Sequence, residues 1–221
     1  MAYGLNVSGD SGVIQVDDSY TNLALKQSSS IWVPAGLSGA SFTVYGVNSP
    51  LLFVRTSGAA VYVQSDNNPT NPTYTFKSGE STAAGTVYWY LFDDSSIPVS
   101  SGWGLSVYRA DGSVAYNTDW KVLKIGAVAQ CPNLADGTDF PSATAAAPYT
   151  ATWAACICSN RIRMTDSGTG MYSYFVGDSV VTNTGGAYTA GGVIVATINL
   201  DENRLIQPYG GLLLIADVTG Y

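Results

Sequence analysis

Residues 3–25 read YGLNVSGDSGVIQVDDSYTNLAL, and residues 103–125 read WGLSVYRADGSVAYNTDWKVLKI. Set one above the other at an offset of 100, with no gap, they place Gly4, Leu5, Val7, Gly12 and Leu23 on Gly104, Leu105, Val107, Gly112 and Leu123. Tyr3 and Trp103, Ile14 and Val114, Asp17 and Asn117, Tyr20 and Trp120, and Leu25 and Ile125 agree in kind. The agreeing positions follow the order of one supersecondary unit used twice. An aromatic-Gly-Leu-x-Val strand enters a glycine turn, a second strand returns, and an Asx-rich bend leads through an aromatic into a third alternating strand. A three-stranded meander is therefore expected in each copy. In the second copy the turn is Arg109-Ala110-Asp111-Gly112, a type I turn closing on a glycine able to take positive φ. The run SGDSG at 8–12 is its counterpart in the first copy.

Outward from the repeat, the chain continues to read as β. IWV at 31–33, SFTVYGV at 41–47, LLFVR at 51–55, AAVYVQ at 59–64, TYTFK at 73–77 and TVYWYLF at 86–92 are short, β-branched or aromatic, and separated by turn formers. No window sustains a 3.6-residue period, and the best helical candidate is the short ATAAAP at 143–148. Residues 130–148 contain three prolines and no strand period, as a linker or irregular crossing would. Beyond them YTATWAACICS, NRIRM, GMYSYFV, SVVTN, AGGVIVATINL and GGLLLIADV read as further strands, with LDENR at 200–204 as the turn of the last hairpin. The expected fold is all-β: a β-sandwich with a repeated three-strand meander over residues 1–129, a crossing at 130–148, and a second, smaller β-module over 149–221.

Two spellings suggest a nucleophilic serine. Gly9-Asp10-Ser11-Gly12 resembles the surroundings of the serine in chymotrypsin-like proteases, and Gly177-Asp178-Ser179-Val180 looks like the first block of the GDS-type esterases. A serine hydroxyl needs a neighbouring base, usually histidine, and the chain has none. Both runs are expected to be turns. The adjacent acids Asp17-Asp18, Asp93-Asp94 and Asp201-Glu202 are expected to point apart into water, whereas a glycosidase needs two carboxylates facing across a cleft. Asp136-Gly137-Thr138-Asp139 lacks the length and alternation of a calcium loop. Cys131, Cys156 and Cys158 offer neither a CxxC pair nor a fourth ligand, and bridging between positions two apart is geometrically poor. Buried free thiols in a reducing cytoplasm are expected. No catalytic residue, cofactor or metal ligand is assigned.

Hydrophobic residues make up 46% of the chain and charged residues only 11%, so much of the surface must be covered by Ser, Thr, Asn, Gly and aromatic side chains. Such a surface suits contacts with neighbours in an assembly. Nine basic residues, scattered against 16 acidic ones, form no patch for phosphates, so nucleic-acid binding is not expected. The opening MAYGLNVSGD reads as leaderless, and no segment approaches the ~20 apolar residues of a membrane-spanning helix, so membrane insertion is not expected. Trp153, Tyr172 and Tyr174 are the aromatics singled out for contact with a partner or glycan.

The opening stretch and residues 101–125, SGWGLSVYRADGSVAYNTDWKVLKI, resemble a family of small tail-associated proteins of tailed bacteriophages. Those proteins begin Met-x-Tyr-Gly-Leu, follow with a hairpin, and place an Asp-Ser bend before a third strand. The resemblance covers residues 1 to about 129, and departs from the pattern at Ser8, where the second copy has Tyr108. It implies a non-enzymatic virion component of the tail or tail tip, assembled in the host cytoplasm. Its partners would be other virion proteins and copies of itself. The alternatives are a tail protein that binds a host receptor or carbohydrate, and a head or neck decoration protein.

Overall fold

The computed structural model describes residues 7–8, 14–16, 22–57, 60–79, 83–94, 97, 104–133, 143–146, 152–158, 162–166, 173–182, 187–198, 204–207 and 211–221. These residues form strands and connections, with no helix among them. The strands are β1 (Val7–Ser8), β2 (Ile14–Val16), β3 (Ala24–Val33), β4 (Gly39–Thr43), β5 (Leu51–Ser57), β6 (Val61–Ser65), β7 (Thr73–Ser78), β8 (Gly85–Asp93) and β9 (Ser106–Tyr108). They continue as β10 (Val114–Asn117), β11 (Ile125–Gln130), β12 (Ala143–Ala146), β13 (Trp153–Ile157), β14 (Ile162–Asp166), β15 (Ser173–Thr182), β16 (Ala187–Ile198), β17 (Arg204–Gln207) and β18 (Leu212–Asp217).

Two antiparallel sheets carry the sandwich. One has six strands in the order β11-β18-β13-β5-β8-β3, and the other runs β12-β16-β15-β6-β7-β4, with β14 and β17 paired beside β15. Period-two alternation explains the packing of the first sheet. On β8, Val87, Trp89 and Leu91 enter the core between the sheets, while Tyr90 and Phe92 enter a second cluster on the opposite face. Likewise β5 sends Leu52 and Val54 one way and Phe53 the other, and β13 sends Trp153 and Ala155 one way and Ala154 and Cys156 the other. The central strands are apolar on both faces because both faces are covered. Across the main core Phe42 of β4 stacks on Trp89 with ring centroids 4.0 Å apart.

The repeated segments do form equivalent hairpins. Val7 faces Val16 and Ser8 faces Ile14, and 100 residues later Val107 faces Tyr116 and Tyr108 faces Val114, with a register shift at the same place in each. Gly112 has φ 84°, and its N–H donates to the Arg109 carbonyl at 3.0 Å, as the turn chemistry requires. Gly12 and the rest of SGDSG beyond Ser8 lie outside the described residues. The third strand, however, does not complete a meander. β1–β2 and β9–β10 are separate two-stranded sheets, while β3 and β11 pair with β8 and β18 at opposite edges of the six-stranded sheet. Even there the repeat persists, because a register shift falls between Leu25 and Gln27 in one copy and between Ile125 and Ala127 in the other.

The same path is in fact followed twice. From β3 to β8 the chain visits one edge of the six-stranded sheet, one edge of the other sheet, the centre of the first, the centre of the second, and then an inner position of each. From β11 to β18 the strands β11, β12, β13, β15, β16 and β18 take the matching places on the other side of each sheet, with β14 and β17 added. The halves meet through one registered pair per sheet, Ala155 with Val54 and Val180 with Val61. Where the two repeats cross, Leu123 N–H donates to the carbonyl of its own counterpart Leu23 at 2.8 Å, beside a bridge between Ala24 and Val122. An antiparallel contact in which a residue meets its own equivalent is isologous, so a pseudo-two-fold axis passes here. Leu23 and Leu123 pack on the outer cluster containing Phe53 and Cys156.

Strands on either side of residues 130–148 pair with one another, β5 with β13, β6 with β15 and β11 with β18, while the C-terminal strands β12 and β14–β17 form a smaller contiguous β-block, consistent with the expected all-β fold with a second, smaller module. Local expectations are corrected by this arrangement. The helical candidate is strand β12, whose Ala143–Ala146 pair with Ala190–Ala187 of β16. A helix that short cannot offset its own nucleation, whereas a neighbouring strand satisfies the same backbone groups. Gly177–Val180 lies within β15, laddered to β16, and is neither a turn nor a nucleophile elbow. The last hairpin is not closed by LDENR in the expected way: β17 pairs with β14, and 199–203 lie outside the described residues.

Candidate functional site

The outer strands of the six-stranded sheet expose apolar side chains. β3 pairs only with β8 and β11 only with β18 among the described strands. Trp32 on β3 is 62% exposed, and on β11 Ile125 is 43% and Val128 57% exposed. Val128 sits opposite Leu214, and the neighbouring Leu212, opposite Gln130, is also exposed, so the β11 edge continues as a small apolar patch onto β18. Edge strands usually carry charge or proline that discourages pairing with another chain. Here Gln27–Val33 and Ile125–Gln130 contain neither, nor do the outer strands β4 and β12 of the second sheet.

One charge does lie on an edge, and the fold turns it inward. Lys26, at the register shift of β3, donates to the Gly46 carbonyl and reaches the Asp93 carboxylate at 3.4 Å. Asp93 is completely buried and also accepts the backbone N–H groups of Asn48 at 3.1 Å and Ser49 at 2.9 Å. A buried carboxylate needs this many donors to offset its desolvation. The expectation that Asp93 and Asp94 face water is therefore corrected for Asp93; Asp94 stays near the surface and accepts from Asn48 Nδ2 at 3.0 Å. The consequence for the edge is that Lys26 no longer guards it.

A cavity of about 680 Å³ opens at the seam between the halves. The pairing of β5 with β13 stops at Val54–Ala155, and the space beyond is lined by Leu52, Tyr62, Tyr74, Ile157, Cys156 and Cys158 among others. Burial pushes the Tyr74 hydroxyl up to about 12. Cys156 is buried and Cys158 exposed, which corrects the expectation that all the thiols are buried. Hydrogen bonding to Cys156, acting against partial burial, lowers the Cys158 thiol to about 7, and hydrogen bonding to Cys158 and then burial raise Cys156.

Of the aromatics selected from the sequence, Trp153 is 5% exposed and belongs to the core between the sheets, so it is not a contact residue. Its strand β13 lies between β18 and β5, and its side chain points to the face that the other sheet covers. Tyr174 lies in β15 opposite Thr165 and Thr197, and Tyr172 lies outside the described residues. The exposed aromatics that sequence reading missed are Trp32, Tyr45 and Tyr108, at 62%, 72% and 58%. Alternation in Ile31-Trp32-Val33 placed Trp32 on a different face from its neighbours, but only the strand order reveals that this face lies at an edge. Among the described residues no cluster of three metal-binding side chains occurs, and no helix is long and apolar enough to cross a membrane. Comparison with protein-family models, curated proteins and solved structures returned no match.

Proposed function

We propose that this chain is a structural component of a tailed-bacteriophage virion, in the tail or tail tip, acting through protein–protein contacts made at its sheet edges. The observation that carries the reading is the pair of outer strands whose exposed side chains carry no charge, β3 with exposed Trp32 and β11 with exposed Ile125 and Val128. Such edges accept another strand by backbone hydrogen bonding, and flanking apolar side chains add burial. The likeness of residues 1–129 to tail-associated proteins supplies the virion and tail part of the proposal, and assembly in the host cytoplasm goes with it.

Gold-labelled antibody raised against the chain, applied to particles released from cells that produce it, tests the assignment. Label at the tail is the expected result. Label on the head or neck favours a decoration protein, and particles without label, with the chain left in the lysate, overturn the virion reading.

A further inference from the structure

We infer that the face of the six-stranded sheet around Trp32, Tyr88 and Arg55 binds a sugar that carries a carboxylate, a uronic or a sialic acid. The register assembles the site. Ser30 of β3 and Arg55 of β5 flank Tyr88 of β8 in one row, and Trp32 and Ser57 flank Thr86 in the next row of the same face. Val87 and Trp89, which alternate with these, turn the other way into the core. Trp32 is 62% exposed, Ser30 and Ser57 are exposed, and Thr86, Tyr88 and Arg55 are half-buried. Trp32 stands diagonal to Tyr88, a separation that aromatic side chains span. An open indole ring, a set of hydroxyls and a cation therefore share one surface.

Charge selects the ligand. The Arg55 guanidinium lies over the Tyr88 ring at 4.3 Å, its Nε is buried without a hydrogen-bond partner, and it makes no ion pair among the described residues. A guanidinium held by stacking keeps the rest of its N–H fork for an anion, and carboxylate matches that fork. In a chain of net charge −7, an acidic ligand needs such a local cation. A pyranose offers apolar C–H groups to Trp32 and ring hydroxyls to Ser30, Ser57 and Thr86. Strand spacing and rise set the Trp32 and Arg55 backbones roughly 12 Å apart, which suits a short oligosaccharide. The duplicated half shows that the frame does not require these side chains. Outward from the Val54–Ala155 pair, the row Arg55, Tyr88, Ser30 corresponds to Cys156, Leu214, Val128, and Trp32 opposite Thr86 corresponds to Gln130 opposite Leu212. The equivalent surface has neither an aromatic ring nor a charge. The sugar lies on the face of the sheet and strand addition uses the β3 edge, so this inference and the proposed function can fail separately.

Isothermal titration of the whole protein tests the site, with trigalacturonic acid beside its methyl ester and sialyllactose beside lactose, tryptophan emission being followed in parallel. At least one acid is expected to bind and to shift the emission, and which of them binds tells a uronic from a sialic ligand. Its neutral counterpart should bind about tenfold more weakly or worse, the worth of a charge-assisted pair. Arg55→Gln and Trp32→Ala should each weaken the acid by about the same factor, whereas Gln130→Ala, at the equivalent place in the other half, should leave it unchanged. Binding of neither acid, equal binding of acid and neutral counterpart, or binding untouched by Trp32→Ala would overturn the inference. The acid-against-neutral comparison uses the native chain, so it decides even if Arg55→Gln fails to fold.

Discussion

Gly112 and Tyr74 show how single residues carry the fold. Gly112 takes φ 84° at the turn of the second hairpin, a conformation that costs a residue with a side chain about 1–2 kcal/mol. Gly112→Ala should lower the unfolding free energy by about 1 kcal/mol in denaturant titration, with the strand content unchanged. Tyr74 offers a test of burial. Its hydroxyl is held up to about 12 in the folded state, so folding favours the neutral phenol. Below pH ~10 both states are protonated and the shift has no effect; above it the unfolded chain ionises first and stability falls until the folded value is passed. Thermal melts between pH 9 and 12 should therefore show an alkaline loss of stability that Tyr74→Phe reduces. The glycine turn was legible in the sequence because its chemistry is local. The burial of Trp153 and Asp93 was not, since each depends on strands distant in the chain.

At the scale of elements, the repeat was legible where backbone pairing is local and illegible where it is not. The hairpins β1–β2 and β9–β10 appear where the aligned residues placed them, down to the shared register shift. The destination of the third strand was hidden, because β3 finds its partner at β8 and β11 at β18, far along the chain. Equivalence also survives there without sequence likeness: Leu25 faces Phe92 as Ile125 faces Ala216. The alanine-rich ATAAAP misled for the same reason, since the ladder to β16 decides the conformation of β12. Phe53 is the central side chain of the outer cluster, completely buried, with its ring 5.5 Å from that of Phe92. Phe53→Ala should cost about 3–5 kcal/mol in equilibrium unfolding, whereas Ser41→Ala on the hydroxyl ladder of exposed β4 should cost well under 1 kcal/mol.

For the molecule as a whole, one path traced twice about a pseudo-two-fold axis leaves equivalent strands at the two ends of each sheet. Duplication explains both why the chain is one sandwich with shared sheets and why its edges come in pairs. The inner seam already joins two such halves through β5–β13 and β6–β15, so edge-to-edge contact is the mode by which this unit associates within the chain. The outer edges repeat the opportunity between chains, with Lys26 turned inward and Trp32, Ile125 and Val128 exposed. Sedimentation velocity of the purified protein across a wide concentration range, beside Trp32→Lys and Val128→Lys, tests this most directly. The account predicts concentration-dependent association of the native chain that either lysine weakens at least tenfold, with melting temperatures nearly unchanged. A native chain that sediments as a monomer throughout, or lysine variants that associate as the native chain does, would contradict it.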